Sequence, residues 1–126
     1  MINLKVIRLE LARTKGHPDG DPRHGYVFRA PLTKNGHIYA ADFSKNRDLC
    51  SVMKFAPGTG DETGRLIRTR KGWAFSYKAG DSDDETIFRL GAHIFQPGEY
   101  VTITEHDGEP YTFRVISVED AVLITG

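Results

Sequence analysis

Disulfides are missing from this chain: it holds a single cysteine, Cys50, so no internal bridge can staple the fold. Net charge is missing too. Seventeen Lys and Arg balance seventeen Asp and Glu, which removes the general electrostatic pull of a basic domain toward nucleic acid or anionic lipid and leaves only local binding of that kind. No stretch approaches the roughly 18 consecutive apolar residues of a membrane span. The opening residues MINLKVIRL interleave charges with apolar side chains, whereas a secretory leader puts a basic start before an apolar run. A lone cysteine and no leader pattern predict the cytoplasm, with no membrane partner. Repeats, linkers and low-complexity tracts are absent as well. The 126 residues predict one domain, 1–126, long enough to bury a core without metal or disulfide.

What is present is two-residue alternation broken by turn chemistry. In Gln96-Pro97-Gly98-Glu99 the proline supplies a fixed φ at the second position and the glycine a positive φ at the third, as a type II turn demands. Tyr100 to Thr104 then alternates with Val101 and Ile103 on one side, and a polar loop, Glu105 to Pro110, precedes a second alternating run, Tyr111, Phe113 and Val115. Ile116 and Val118 lie in the opposite phase, which requires a bulge or a sheet covered on both faces. Upstream, Tyr26, Phe28, Ala30 and Leu32 share a face, and Asn35-Gly36 predicts a hairpin returning through His37 to Ala41. Residues 42–48 read as a short helix capped by Asp42 or Ser44. Cys50 to Phe55 reads as a strand and Ala56 to Gly64 as a loop. Arg65 to Tyr77 reads as a hairpin with Trp73, Phe75 and Tyr77 on one face. The opening segment to Leu11 is a strand with a bulge near Val6-Ile7, and Thr14 to His24 is a loop.

Such short, punctuated strands predict a mainly β fold, a single-domain small barrel or sandwich of about six to eight strands with at most a short helix near 42–48. The expected core is Leu9, Phe28, Ile38, Val52, Ile67, Trp73, Phe75, Phe88, Val101, Ile103, Phe113 and Val115.

Arg23 to Leu32 (RHGYVFRAPL), Gly72 to Gly80 (GWAFSYKAG) and Phe88 to Val118, with FRLGAHIFQPGEYVTI, a DG pair and TFRVISV, resemble a family of small bacterial proteins of uncharacterised function. The resemblance runs along most of the chain. It implies no activity, substrate, cofactor or catalytic residue.

Several clusters carry possible chemistry. His93, Glu99 and His106 combine two imidazoles and a carboxylate, the ligand types of a two-His, one-carboxylate metal site, and suggest a metal-dependent cupin-like enzyme using His93 and Glu99. The cupin pattern's closely spaced His pair is missing, however, because Ile94 and Phe95 follow His93. A satisfied His93 and a surface His106 are the plainer reading. Arg68, Arg70, Trp73 and Tyr77 place cations beside rings, the mixture that single-stranded nucleic acid prefers, and form the candidate ligand-binding set. Their plainer reading is a charged solvent face over an aromatic core face, and zero net charge disfavours nucleic acid. Asp81, Asp83 and Glu85 alternate like calcium ligands but lack the glycine and glutamate of an EF-hand. Gly58 to Arg65 lacks the Lys-Ser/Thr of a phosphate loop. Arg23-His24 suits an anion or a carboxylate of its own loop. Cys50 reads as a small buried hydrophobe rather than a nucleophile. No cluster outweighs its structural alternative, so the expectation is a binding or interaction module for a small molecule or protein rather than an enzyme.

Overall fold

Where apolar residues recur every second position on successive strands, each strand turns one face toward a shared interior, and the remaining question is how the sheet ends. Here it has no ends. In the computed structural model, which describes residues 4–13, 16, 18–70, 72–77, 85–87, 94–105 and 108–121, eight antiparallel strands run in chain order round a closed barrel. They are β1 (Leu4–Leu11), β2 (Asp21–Pro31), β3 (Ser51–Ala56), β4 (Thr59–Thr69), β5 (Gly72–Ser76), β6 (Glu85–Ile87), β7 (Tyr100–Thr104) and β8 (Pro110–Asp120). β8 returns to pair with β1, so each of the eight strands has a neighbour on both sides. The fold is mainly β, as its patterning requires. Helix is confined, among the described residues, to α1 (Ala40–Lys45) and a 3-10 turn at Arg47–Leu49, and no helix is long and apolar enough to cross a membrane.

The interior is aromatic. Tyr26, Phe28, Phe75, Phe95 and Phe113 are fully enclosed with Ile7, Leu9, Leu66, Ile103 and Val52, and their rings meet at 5.1 to 5.5 Å, edge-on or tilted. The phase conflict in β8 is resolved by a bulge. Val115 lies opposite Leu9 and Ser117 opposite Arg8, so Ile116 is the extra residue; it turns outward to 39% exposure while Val118 still packs on the core.

The type II turn forms, with Gly98 at φ 94° and Glu99 N–H bonded to the Gln96 carbonyl at 3.0 Å. Several other expectations fail in instructive ways. The return strand after Asn35-Gly36 is reduced to an isolated bridge between Leu32 and Ile38, because α1 takes over the chain at Ala40. Gly36 nevertheless keeps a positive φ of 87°, and any Cβ there would meet Gln96 Cγ and Ile94 Cγ2 at 3.1 Å. Neither Asp42 nor Ser44 caps the helix: the cap is Tyr39, whose carbonyl accepts from Phe43 N–H without side-chain help. Ala56 to Gly64 is a loop only at Pro57-Gly58, since β3 and β4 pair from Ala56 and Thr59 onward. Likewise β2 begins at Asp21, inside the expected loop. Leu66 rather than Ile67 faces the core, Ile38 is only half-buried, and Phe88 lies outside the described residues.

One end of the barrel is plugged by α1. Phe43 stands edge-on to Trp73 at 4.7 Å, and Arg68, paired with Trp73 across β4 and β5, holds its guanidinium 5.6 Å from the indole centroid. The other end is closed by charge.

Candidate functional site

At the second end the interior stripe of three strands turns polar. His24 continues the Tyr26–Phe28–Ala30 face of β2, Lys54 follows Val52 on β3, and Glu105 follows Val101 and Ile103 at the end of β7. All three converge with Tyr26 on one atom. Glu105 Oε2 accepts from the Tyr26 hydroxyl, lies 3.0 Å from His24 Nε2, and pairs with Lys54 Nζ at 3.5 Å. Lys54 and Glu105 side chains are 7% exposed and His24 is 16% exposed. The imidazole is wedged between Tyr111 and Phe113, with centroids 5.7 and 5.4 Å away.

Burial by itself would raise the Glu105 carboxyl's pKa. Hydrogen bonds from His24 and Tyr26, together with the charges of Lys54 and His24, outweigh it and hold the group below its ordinary value. The carboxylate is therefore kept ionised beside a buried ammonium. β3 and β7 stand opposite each other in the ring of eight, so the cluster is a brace across the barrel.

The plugged end offers something more accessible. Between α1, the 3-10 turn and β4 lies a cleft of about 530 Å³ lined by Lys45, Arg47, Asp48, Arg65 and Arg68, with Phe43, Ser44, Leu66 and Ile67. Among the described residues four cations face one carboxylate there. Arg65 Nη1 meets Asp48 Oδ1 at 3.2 Å with both side chains largely in solvent, an ion pair worth about 1 kcal/mol or less. Its guanidinium is thus easily claimed by a better anion. A second cleft, of about 420 Å³, adjoins it through Arg65 and Ile67, and a third, of about 570 Å³, lies on β1 and β8 around Tyr100 and Arg114. None of the three is lined by His24, Tyr26, Lys54 or Glu105.

The residues singled out from sequence fare unevenly. Arg68 lines the cationic cleft, Tyr77 lines the adjoining one, and Arg70 is exposed past the end of β4. Trp73 is only 6% exposed, so its ring is a core element packed on Phe43 and presents no stacking face to a base. That removes the platform on which the nucleic-acid expectation rested. His93 and His106 lie outside the described residues, and Glu99 is exposed before β7. Among the described residues no group of three or more His, Cys, Asp or Glu is placed to hold a metal. Cys50 is fully buried and its thiol is pushed up to about 11 by burial, so it stays protonated and unreactive at neutral pH.

Sequence reasoning missed Glu105 and Lys54 and left His24 in a loop. The signal was available: each is a charged or titratable residue exactly two places beyond an apolar interior position on its strand. Comparison with family models, with curated proteins and with solved structures finds no match.

Proposed function

We propose that this protein is a binding module, working in the cytoplasm, that holds a small anionic ligand in the cleft between α1 and β4. The observation that carries the reading is the local imbalance of Lys45, Arg47, Arg65 and Arg68 against Asp48 in a chain that is neutral overall. Like charges that line one cleft repel each other and are a cost to the folded state unless an anion is present, and the cleft concentrates their field. Two of the arginines come from β4, a strand fixed by pairing on both sides, so their guanidiniums are presented by a rigid element. Arginine's planar fork suits two-point contact with phosphate or carboxylate. The volume falls within the range of about 300 to 1,000 Å³ typical of small-molecule sites.

Titration calorimetry with inorganic phosphate and pyrophosphate at low ionic strength tests the reading. Saturable one-to-one binding that weakens about tenfold or more in Arg65→Gln/Arg68→Gln is expected, the worth of a charged hydrogen bond or two. Both side chains are exposed, so the variant should still fold, which its melting transition checks. Absence of saturable binding, or binding indifferent to the two substitutions, overturns the proposal.

A further inference from the structure

The adjoining cleft changes chemistry abruptly. Its described lining is Thr63, Gly64, Arg65, Ile67, Ser76 and Tyr77, so beyond the shared Arg65 no described residue there is a cation and three carry a hydroxyl. Alternation explains why the two clefts share Arg65 and Ile67. Thr63, Arg65 and Ile67 are the outward residues of β4, and Ser76 of β5 lies directly opposite Arg65. Gly64 contributes backbone alone, because a Cβ there would stand 2.1 Å from the Ser76 carbonyl oxygen. Arg65 sits at the junction of a charged half and a neutral, hydrogen-bonding half.

We infer that the ligand is a phosphate ester with a hydroxyl-bearing body, in chemical class a sugar or polyol phosphate, with its phosphate among the four cations and its body against Thr63, Ser76 and Tyr77. This rests on the anion-binding reading above. A polyanion such as nucleic acid would require cations along both halves, whereas among the described residues those beyond the shared Arg65 lie in one. A free inorganic anion would leave the hydroxyl-lined half without a role. Each hydroxyl carries one donor and two acceptor lone pairs, so it can serve a ligand while keeping a protein partner. A sugar hydroxyl matches that pattern, being donor and acceptor at once.

Calorimetric titration with inorganic phosphate, glycerol 3-phosphate, ribose 5-phosphate, glucose 6-phosphate and glucose separates the two claims. At least one ester should bind about fivefold or more tighter than phosphate, since each added hydrogen bond is worth roughly two- to tenfold. Glucose alone should bind far more weakly. In Thr63→Val/Ser76→Ala the ratio of ester to phosphate affinity should fall toward one, and in Arg65→Gln both ligands should weaken. If every ester binds only as well as phosphate, or the ratio survives the Thr63→Val/Ser76→Ala change, this inference is overturned while the anion site stands. If phosphate and esters all fail to bind, both readings fall together.

Discussion

The two ends of the barrel close by opposite physics. At one, Phe43 lies edge-on against Trp73 beneath a rim of exposed cations; at the other, Lys54, His24 and Tyr26 meet the Glu105 carboxylate inside the wall. Apolar closure gains from every methylene removed from water and asks for shape alone. Charged closure must first repay the desolvation of two ions, so it contributes little net stability while making each partner indispensable to the other. The apolar plug leaves the cations above it facing solvent. The brace spends its charges internally.

The contrast is broken most forcefully at Glu105. Glu105→Leu removes the carboxylate that Lys54, His24 and Tyr26 share and should cost about 3–5 kcal/mol, the usual penalty for removing one partner of a buried pair. Lys54→Met/Glu105→Leu should recover most of that loss, because neither charge is then buried alone. Urea denaturation at neutral pH of the wild type, the single and the double variant measures both. Equal losses in the two variants would mean that packing, not charge pairing, holds that end.

Phe43→Ala tests the plugged end and should cost about 3 kcal/mol through lost burial and the cavity left behind. Here no charge is stranded, so no second substitution should rescue it. The chain has one tryptophan, so fluorescence reports this end directly; a red shift in Phe43→Ala but not in Glu105→Leu is expected below the unfolding transition.

A smaller effect should come from acid. The Glu105 carboxyl is held below its unfolded value of about 4.3, so its contribution is fully present above that pH and is lost as pH falls through the lower folded value. Protonated Glu105 still keeps a hydroxyl and a carbonyl for hydrogen bonds, which is why the loss is milder than in the leucine variant. Stability measured between pH 6 and 3 should fall less steeply in Lys54→Met/Glu105→Leu than in the wild type, and identical slopes would contradict the assignment.

Much of this architecture was legible in the chain. The Gln96 turn, the shared face of Tyr26, Phe28, Ala30 and Leu32, and the break of phase at Ile116 all follow from local chemistry and period two, although the sequence left a bulge and a doubly covered sheet equally open there. What misled was polarity. Thr59 to Gly64 looks like a loop because it is polar and glycine-rich, yet it pairs with β3, and that is a tertiary fact; Asp21 to His24 looks the same, and there Asp21 pairs with Leu11 while its carboxylate accepts from Arg23 N–H. The same error hid the brace: Glu105 begins a run that reads as a turn, although it continues the face of Val101 and Ile103. The cationic cleft was half visible. Arg65 and Arg68 stand close in sequence, but Lys45 and Arg47 join them only because α1 folds back over the barrel end. Trp73 was placed both in the core and at a binding face, and packing under Phe43 decides for the core.

Seven of the eight seams join strands that are neighbours along the chain, whereas the eighth brings β1 to β8, with Lys5 bonded to Asp120 across 115 residues. The hairpin seams pay small closure entropies and form early; the last pays the largest and forms only when β8 is present. During synthesis, then, the β1 edge waits unpaired until nearly the whole domain has left the ribosome. For that interval the nascent barrel is an open sheet, and its vulnerability to pairing with a neighbouring chain is set by how quickly one strand arrives.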